Sequence, residues 1–465
     1  MKKLFLAIFC GFLGSMTAAQ TSLPKLPHCG YELIWKKLER AHPDLRSAFD
    51  AQFKTAGDVA QKTAGTVYHI PVVFHVVYFD NGTVVKGNVS DAVLLNQLQI
   101  LNGAYRKQHA DTGNLRQAFK SLSADAEIQF YLAASDPQGN PTTGITRRST
   151  TISGFGDATG LFNGDLSSIE RIRHTAQGGE DAWPADKYLN IWVADMSITF
   201  MGQSFPMLLG IAKPPMNPLP PNWGMDTTGF SALTDGVTLQ YQCVGNNNPD
   251  AAELAMFGAG SAGRTAVHEV GHYLGLRHIW GDAASSSDAC TALADDGIAD
   301  TPPQAQESDM TEIPHPSDTQ NTCFATVAGD MPDLWENYMD YSHDEGQCMF
   351  THDQATHMRV ICANQRSTLT SQLVPTGIFL SAAPRLHSLI VYPQPAGDRM
   401  TIAFDGHIDE WRLTNAMGQE VAAATAGNGG SATKQISTAD LPAGSYFLSL
   451  RDGANLYSKH LLVRH

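Results

Sequence analysis

Three histidines and a glutamate share one run of the chain: His268-Glu269-Val270-Gly271-His272-Tyr273-Leu274-Gly275-Leu276-Arg277-His278. Residues four apart on a helix lie on one face. A helix here therefore turns the rings of His268 and His272 toward one point. Glu269 lies beside them, placed to hold a water on a shared metal without ligating it. Gly275 is poor inside a helix and good just past its end, where the backbone often turns left-handed. A sharp turn there swings His278 back toward the first two histidines. Three neutral imidazoles and one water make a tetrahedral zinc site with an open position, which is the catalytic rather than the structural arrangement. Zinc lowers the pKa of such a water to about 7, and a carboxylate beside it takes the proton. The bare H-E-x-x-H pattern also arises by chance on exposed helices. The added glycine and third histidine make this run far more specific.

Other elements must position these residues. The zinc helix is expected over about 264–275, half-buried through Val270, Tyr273, Leu274 and Leu276. Residues 66–80 carry a β-branched and aromatic run, Tyr68 to Tyr78, which reads as a buried strand. His69 and His75 read as ordinary strand residues within it. Further strands are expected at 127–133, 188–193, 208–212 and 235–241. Asp91 to His109 has helical periodicity, opened by Ser90 as N-cap. Phe350 to Leu369 reads as a closing helix. This order describes an α/β layered domain over residues 66–370, a twisted mixed sheet with long helices.

The 465 residues allow two or three domains. Hydrophobic content of 43% and charged content of 17% are globular values, and a net charge of −15 argues against nucleic acid as a partner. Residues 1–19 read as a signal peptide. Lys2 and Lys3 precede an apolar stretch from Leu4 to Leu13, and Thr17-Ala18-Ala19 forms the cleavage site. The apolar stretch is short for a membrane span, and no later segment reads as transmembrane. Cys10 lacks a lipobox, so no lipid anchor is expected. The mature product is expected to be a secreted or surface-attached monomer. Six cysteines remain, Cys29, Cys243, Cys290, Cys323, Cys348 and Cys362, and export implies disulfides among them. Spacing alone leaves their connectivity open.

Residues 20–65 are polar and helix-prone, and they read as a propeptide ending in a loose link from Lys54 to Gly65. Its notable feature is Cys29-Gly30. A thiolate from Cys29 in the open zinc position would keep the site latent; an ordinary disulfide is the alternative. After His278 comes a loop-rich stretch, 280–335. Its segment Asp295-Asp296-Gly297-Ile298-Ala299-Asp300-Thr301 suits a hard cation with oxygen ligands, so calcium is expected. A solvated acidic turn is the alternative. Glu336-Asn337-Tyr338-Met339-Asp340-Tyr341 follows. A methionine in a tight turn beneath the metal is the second half of the metzincin signature. Tyr341 is placed to reach the zinc or the carbonyl under attack. Residues 371–385 read as a linker with Pro375 and Pro384. Residues 386–465 alternate apolar and polar residues in short runs with Gly-rich turns, a small β-sandwich.

With these residues in view, residues 66–370 resemble the pappalysin family of metzincin metalloproteases, in particular its cytophagalysin-like bacterial members. The resemblance rests on Gly263-Arg264-Thr265-Ala266-Val267 before the zinc motif and His278-Ile279-Trp280-Gly281-Asp282 after it. It continues through Asp296 to Pro303 and Asn337-Tyr338-Met339-Asp340-Tyr341. It implies zinc held by His268, His272 and His278, Glu269 as general base and acid, a Met-turn at Met339, and Tyr341 stabilising the tetrahedral intermediate. It implies calcium held by Asp296, Thr301 and carbonyls such as that of Ala299, and it supports Cys29 as a latency switch, although His28 stands where an arginine is usual. It implies a bridge between Cys290 and Cys323. Cys348 lacks its usual partner, which leaves Cys243 or Cys362 as alternatives. Relatives that prefer basic residues place an acid where Gln347 stands here; Asp344 or Glu345 is expected to take over. The last unit resembles the sorting domain of type IX secretion, on Tyr392-Pro393-Gln394-Pro395-Ala396, Asn415 to Gln419, Ala443 to Phe447 and Lys459 to Val463. The expected protein is a secreted zinc endopeptidase made as a zymogen and acting on proteins or peptides. The rival is a surface adhesin on the same scaffold, which an intact Glu269 and three intact histidines disfavour.

Overall fold

The computed structural model describes residues 28–41, 44, 47 and 66–370, apart from 201–202, 207, 216–232, 258, 260–261, 283–288, 292–294 and 313–314. It also describes residues 389–464, apart from 393–395, 405–407, 409, 416–419, 426–432 and 453–454. The signal peptide at 1–19, the link at 54–65 and the linker at 371–385 lie outside the described residues. The chain divides into two compact units, Met1–Leu373 and Val374–His465.

The spine of the first unit is strand β1 (Tyr68–Asp80), with eight consecutive buried residues from Ile70 to Val77. A nearly continuous apolar run is what a strand covered on both faces requires; it is interrupted by His75, which is paired with Thr146 Oγ1 and Asn190 Oδ1. β1 pairs antiparallel with the two-residue β2 (Val85–Lys86), and parallel with β3 (Ile128–Leu132), β4 (Ile145–Thr150) and β5 (Leu189–Ala194). A separate hairpin follows, β6 (Ile198–Phe200) and β7 (Gln203–Phe205). Strand β8 (Gly210–Ala212) then forms the sheet edge, antiparallel to β9 (Val237–Gln240), which itself runs parallel to β5. The sheet is therefore mixed, and the antiparallel edge β8 borders the site. β4 was not expected. Its sequence, Ile-Thr-Arg-Arg-Ser-Thr, is largely solvated and carries little apolar signal.

Among the described residues, four longer helices pack with this sheet: α1 (Gly30–Ala41), α2 (Asp91–Tyr105), α3 (Arg264–Tyr273) and α4 (His352–Ala363). Ser90 caps α2 as expected, its side chain accepting from Val93 N–H. The helix stops at Tyr105 rather than His109. Lys107 takes a left-handed φ of 49°, and the N–H of Gln108 closes on Gly103 O at 2.7 Å. Glycine usually marks such a stop, and here a lysine occupies it. The closing helix is also broken. It splits into α4 and a single turn, Ser367–Thr370, because Arg366 is pinned to Tyr273 O at 2.9 Å and to the Asp235 carboxylate at 3.0 Å. Helix α2 holds the start of α3, with Gln97 Nε2 donating to Gly263 O and the Tyr105 hydroxyl to Val267 O, both at 3.0 Å.

The second unit has seven strands among its described residues. β10 (Leu389–Tyr392), β11 (Arg399–Phe404) and β14 (Thr433–Ser437) form one antiparallel sheet. β12 (Glu410–Asn415), β13 (Glu420–Thr425), β15 (Gly444–Asp452) and β16 (Asn455–Val463) form another. Met400, Ile402 and Ile436 of the first share one core with Trp411, Leu413 and Leu448 of the second. Five of these strands were expected. β13 and β14, short in large apolar residues, were not.

Candidate active site

Helix α3 ends at Tyr273, two residues short of the sequence expectation. Gly275 has φ 91°, with its N–H bonded to His272 O at 2.9 Å and the N–H of Leu276 to Gly271 O at 3.0 Å. This is the paired closure of a Schellman turn. A Cβ on Gly275 would meet Ile361 and His357 at 3.1 Å. The turn brings His278 back as required. The Nε2 atoms of His268, His272 and His278 lie 3.1 Å from one another.

The other ring nitrogens explain why these atoms point inward. His268 Nδ1 faces Tyr338 O at 2.8 Å, His272 Nδ1 faces Leu276 O at 2.8 Å, and His278 Nδ1 faces Asp282 Oδ1 at 2.6 Å. A carbonyl or carboxylate only accepts, so each Nδ1 carries the hydrogen and each Nε2 is a bare lone pair. Burial drives all three imidazoles toward the neutral form, pushing His278 down to about 3. Three lone pairs converging in a dry site repel unless a cation sits among them. Ligands on a tetrahedral zinc with Zn–N of about 2.0–2.1 Å stand about 3.3 Å apart. The donor set fits that ion. Cys29 joins it: Sγ and the three Nε2 atoms all lie within 4.8 Å of one another, and all four residues are buried.

Two glycines seat the helix. A Cβ on Gly271 would overlap the Met339 sulfur, and a Cβ on Gly210 would lie 2.5 Å from Glu269 Cγ. Met339 is fully buried below the helix, its N–H held by Asn337 Oδ1 at 2.9 Å. Asp344 sits at the helix start, where Oδ2 accepts from Ala262 N at 3.1 Å and Arg264 N at 3.3 Å. Negative charge is favourable there. That carboxylate, expected to face substrate, also caps the helix start through Oδ2. Glu345 is exposed. Gln347 spends its amide on Asp340 O at 2.9 Å and Ser342 O at 3.0 Å, bracing the segment around Tyr341.

Glu269 is buried beside the histidines. One carboxylate oxygen, Oε2, has no partner, and burial pushes the group up to about 8, partly offset by a hydrogen bond from the Cys29 thiol. The Tyr341 hydroxyl is likewise buried without a partner. Its ring centroid lies 5.6 Å from that of His268 and 4.9 Å from that of His278. Segment 28–41 fills the space in front of these groups. His28 O accepts from Leu209 N at 2.8 Å, and Cys29 forms a parallel bridge with Gly210 of the edge strand. A Cβ on Gly30 would lie 2.7 Å from Ile211, so only glycine lets the chain approach so closely. Burial and the neighbouring Glu269 raise the Cys29 thiol well above its ordinary range.

In the acidic loop, Asp296 Oδ1 accepts from Ile298 N and Thr301 Oγ1, both at 2.9 Å. Asp296 and Thr301 line a cavity of about 220 Å³ with Asp295, Gln304 and Cys290. Burial raises the Asp296 carboxyl well above the ordinary range, with Asp295 adding to the rise. Cys290 and Cys323 are bridged. Neither alternative for Cys348 is realised: Cys29, Cys243, Cys348 and Cys362 are free and buried.

Sequence reasoning missed the residues behind the histidines. Tyr338 O and Leu276 O are backbone atoms with no signature of their own. Asp282 was quoted only as part of a motif. Arg173 was not singled out. Its buried guanidinium donates to Thr238 Oγ1 at 2.9 Å and Ile211 O at 3.3 Å, tying β9 to the edge strand. No helix among the described residues is long and apolar enough to cross a membrane.

A profile of the family described as Pregnancy-associated plasma protein-A matches residues 258–363, and that of the Secretion system C-terminal sorting domain matches residues 390–464. The chain belongs to the pappalysin family of metzincin metalloproteases and carries a type IX sorting domain, which directs a protein to secretion or the cell surface. In three dimensions the chain is similar to promirolysin of Tannerella forsythia, with 30% identity, TM-score 0.56, and 74% of this chain and 97% of that one covered. It is similar to mature mirolysin of Tannerella forsythia in complex with a cleaved peptide, with 33% identity, TM-score 0.50, and 66% and 97% covered. An extracellular metalloprotease of Uncinocarpus reesii is 27% identical over 313 residues, which cover 67% of this chain and 82% of that protein. The corresponding protein of Arthroderma otae is 40% identical over 96 residues, and there the chain spans 30% of the relative's length.

Proposed function

We propose that the protein is a secreted zinc endopeptidase made as a zymogen, with Glu269 as its general base and acid. The observation that carries this reading is the meeting of three bare Nε2 atoms, one unpartnered carboxylate oxygen and one thiol at a single buried point. His268, His272 and His278 would hold the zinc. When bound, zinc lowers the pKa of a coordinated water to about 7 and polarises the peptide carbonyl. Glu269 takes the proton from the attacking water and hands it to the leaving amine. Tyr341 turns its free hydroxyl to the developing oxyanion. Met339 supports the floor, and the carbonyl beside it orients His268. The mature protein is expected to cleave casein or gelatin and to lose that activity with o-phenanthroline. Cleavage that persists in the chelator would overturn the zinc reading.

Residues 20–65 act as the removable, helical propeptide before a catalytic domain at 66–370. Cys29 would fill the fourth zinc position until removal; the existence of a mirolysin precursor as a separate form supports a removable segment. Thiolate ligands are deprotonated by the metal that binds them, so zinc would offset the rise that burial gives the Cys29 thiol. Cys29→Ala is expected to give active enzyme earlier during expression, read by zymography. Latency equal to the parent protein would count against the switch. The Asp296 loop suits calcium: a buried carboxylate with a raised pKa gains most from a hard cation, with Thr301 and the Ala299 carbonyl alongside. The linker leads to a β-sandwich at 386–465, read by type IX machinery after a signal peptide at 1–19.

A further inference from the structure

The segment that lies in front of the three histidines brings two aromatic side chains with it. Tyr31 stacks on His272, with ring centroids 4.0 Å apart and planes 3° apart, and meets His278 edge-on at 5.7 Å. Trp35 stacks on Tyr31 at 5.6 Å. The guanidinium of Arg277 lies over the far ring, 4.9 Å from the Trp35 centroid. Tyr31 and Trp35 are 1% and 0% exposed, so both are wholly desolvated. The run is a ladder: histidine, tyrosine, tryptophan, arginine.

The ladder is half scaffold and half visitor. His272, His278 and Arg277 belong to the part that stays. Tyr31 and Trp35 belong to the part that leaves if residues 20–65 are removed. Departure bares the face of His272 and the plane of Arg277 next to the reacting centre. Flat rings and a guanidinium plane bind aromatic side chains by stacking and cation–π attraction. A carboxylate is the other side chain an arginine attracts. Arg277 Nη1 already donates to Asp295 O at 3.4 Å, and its charge acts on the buried Asp296. The charge is thus partly satisfied by the loop, and the flat face is what the segment uses. The position suits substrate. Tyr31 is two residues from Cys29, so its subsite lies within about 7 Å of chain from the metal-facing sulfur.

We propose that the surface covered by Tyr31 and Trp35 is a substrate subsite of the mature protein, selective for an aromatic side chain within three residues of the cleaved bond. This rests on the protease reading and on removal of residues 20–65. Arg277 is its specificity-determining residue. A large aromatic ring enters the space that the two rings of the segment filled, reaches the Arg277 plane that Trp35 covered, and brings the peptide alongside the edge strand.

The test uses mature protein and a peptide library randomised on both sides of a scissile bond, read by mass spectrometry. Trp, Tyr or Phe is expected to be enriched at one position. A peptide pair differing only in Trp or Ala there is then titrated against mature Glu269→Ala protein and its Arg277→Gln double variant by fluorescence anisotropy, with zinc content measured in both. The Trp peptide is expected to bind about 3- to 10-fold more tightly, and Arg277→Gln to shrink that ratio at unchanged zinc content. Cleavage without aromatic enrichment anywhere would overturn the subsite and leave the protease reading standing. A Trp-to-Ala ratio that survives Arg277→Gln would overturn the role of Arg277. Failure to cleave any library member would overturn the protease reading itself, and the subsite with it.

Discussion

On the proposed mechanism, Glu269→Gln is expected to lower kcat/KM on a peptide substrate by about 10²–10⁴-fold while zinc stays bound at one equivalent. The magnitude is that of a positioned general base and acid. Glutamine keeps the shape of the side chain, which matters under Gly210, where a single added carbon would lie 2.5 Å from Glu269 Cγ. It keeps no basic oxygen to receive a proton. The residue ligates nothing, so metal content separates loss of chemistry from loss of the site. Kinetics on the mature protein, with zinc measured by atomic absorption, checks both halves. Activity within tenfold of the parent would remove Glu269 from the proton transfer.

With His278 as a zinc ligand, Asp282→Ala is expected to weaken zinc binding by about 10–100-fold, the range for losing a hydrogen-bond partner behind a metal-ligating histidine. Asp282 Oδ1 is the acceptor that fixes His278 Nδ1–H at 2.6 Å, and both residues are fully buried. Without it the third ring loses its tautomer and its aim together. Asp282→Asn retains an accepting oxygen and should fall between the parent and the alanine variant. Competition with a coloured chelator gives the zinc affinities, and near-ultraviolet circular dichroism shows whether the fold is kept. Equal affinities for all three proteins would mean that the turn alone holds His278.

The contrast between these two residues shows what the amino-acid order makes legible. Glu269, the three histidines and Gly275 announce themselves because helical spacing and left-handed turns restrict residue types at fixed intervals. Met339 and Tyr341 are legible through their distance from that run. The layer behind is not. Its acceptors for His268 and His272 are the main-chain oxygens of Tyr338 and Leu276, which any residue could supply. Asp344 is ambiguous for a related reason. A carboxylate near a cleft is as suitable for a substrate as for a helix start, and only the fold shows that Ala262 and Arg264 take it. In the sheet, β1 is evident from its apolar run and β4 is hidden by arginines. The helix ends at Tyr105 and Ala363 are set by Lys107 and Arg366, residues that would ordinarily continue a helix.

Trp35 has an optical consequence. An indole shielded from water and stacked beside a tyrosine and a guanidinium emits differently from one in a free, solvated peptide. Its environment is created by the segment's presence on the site, and on the proposed zymogen reading it is destroyed when the segment departs. On that reading the chain carries its own dye at the point of activation. Unlocking should register as a shift in tryptophan emission, seen without any substrate, and its time course would report the release of the segment separately from the onset of cleavage.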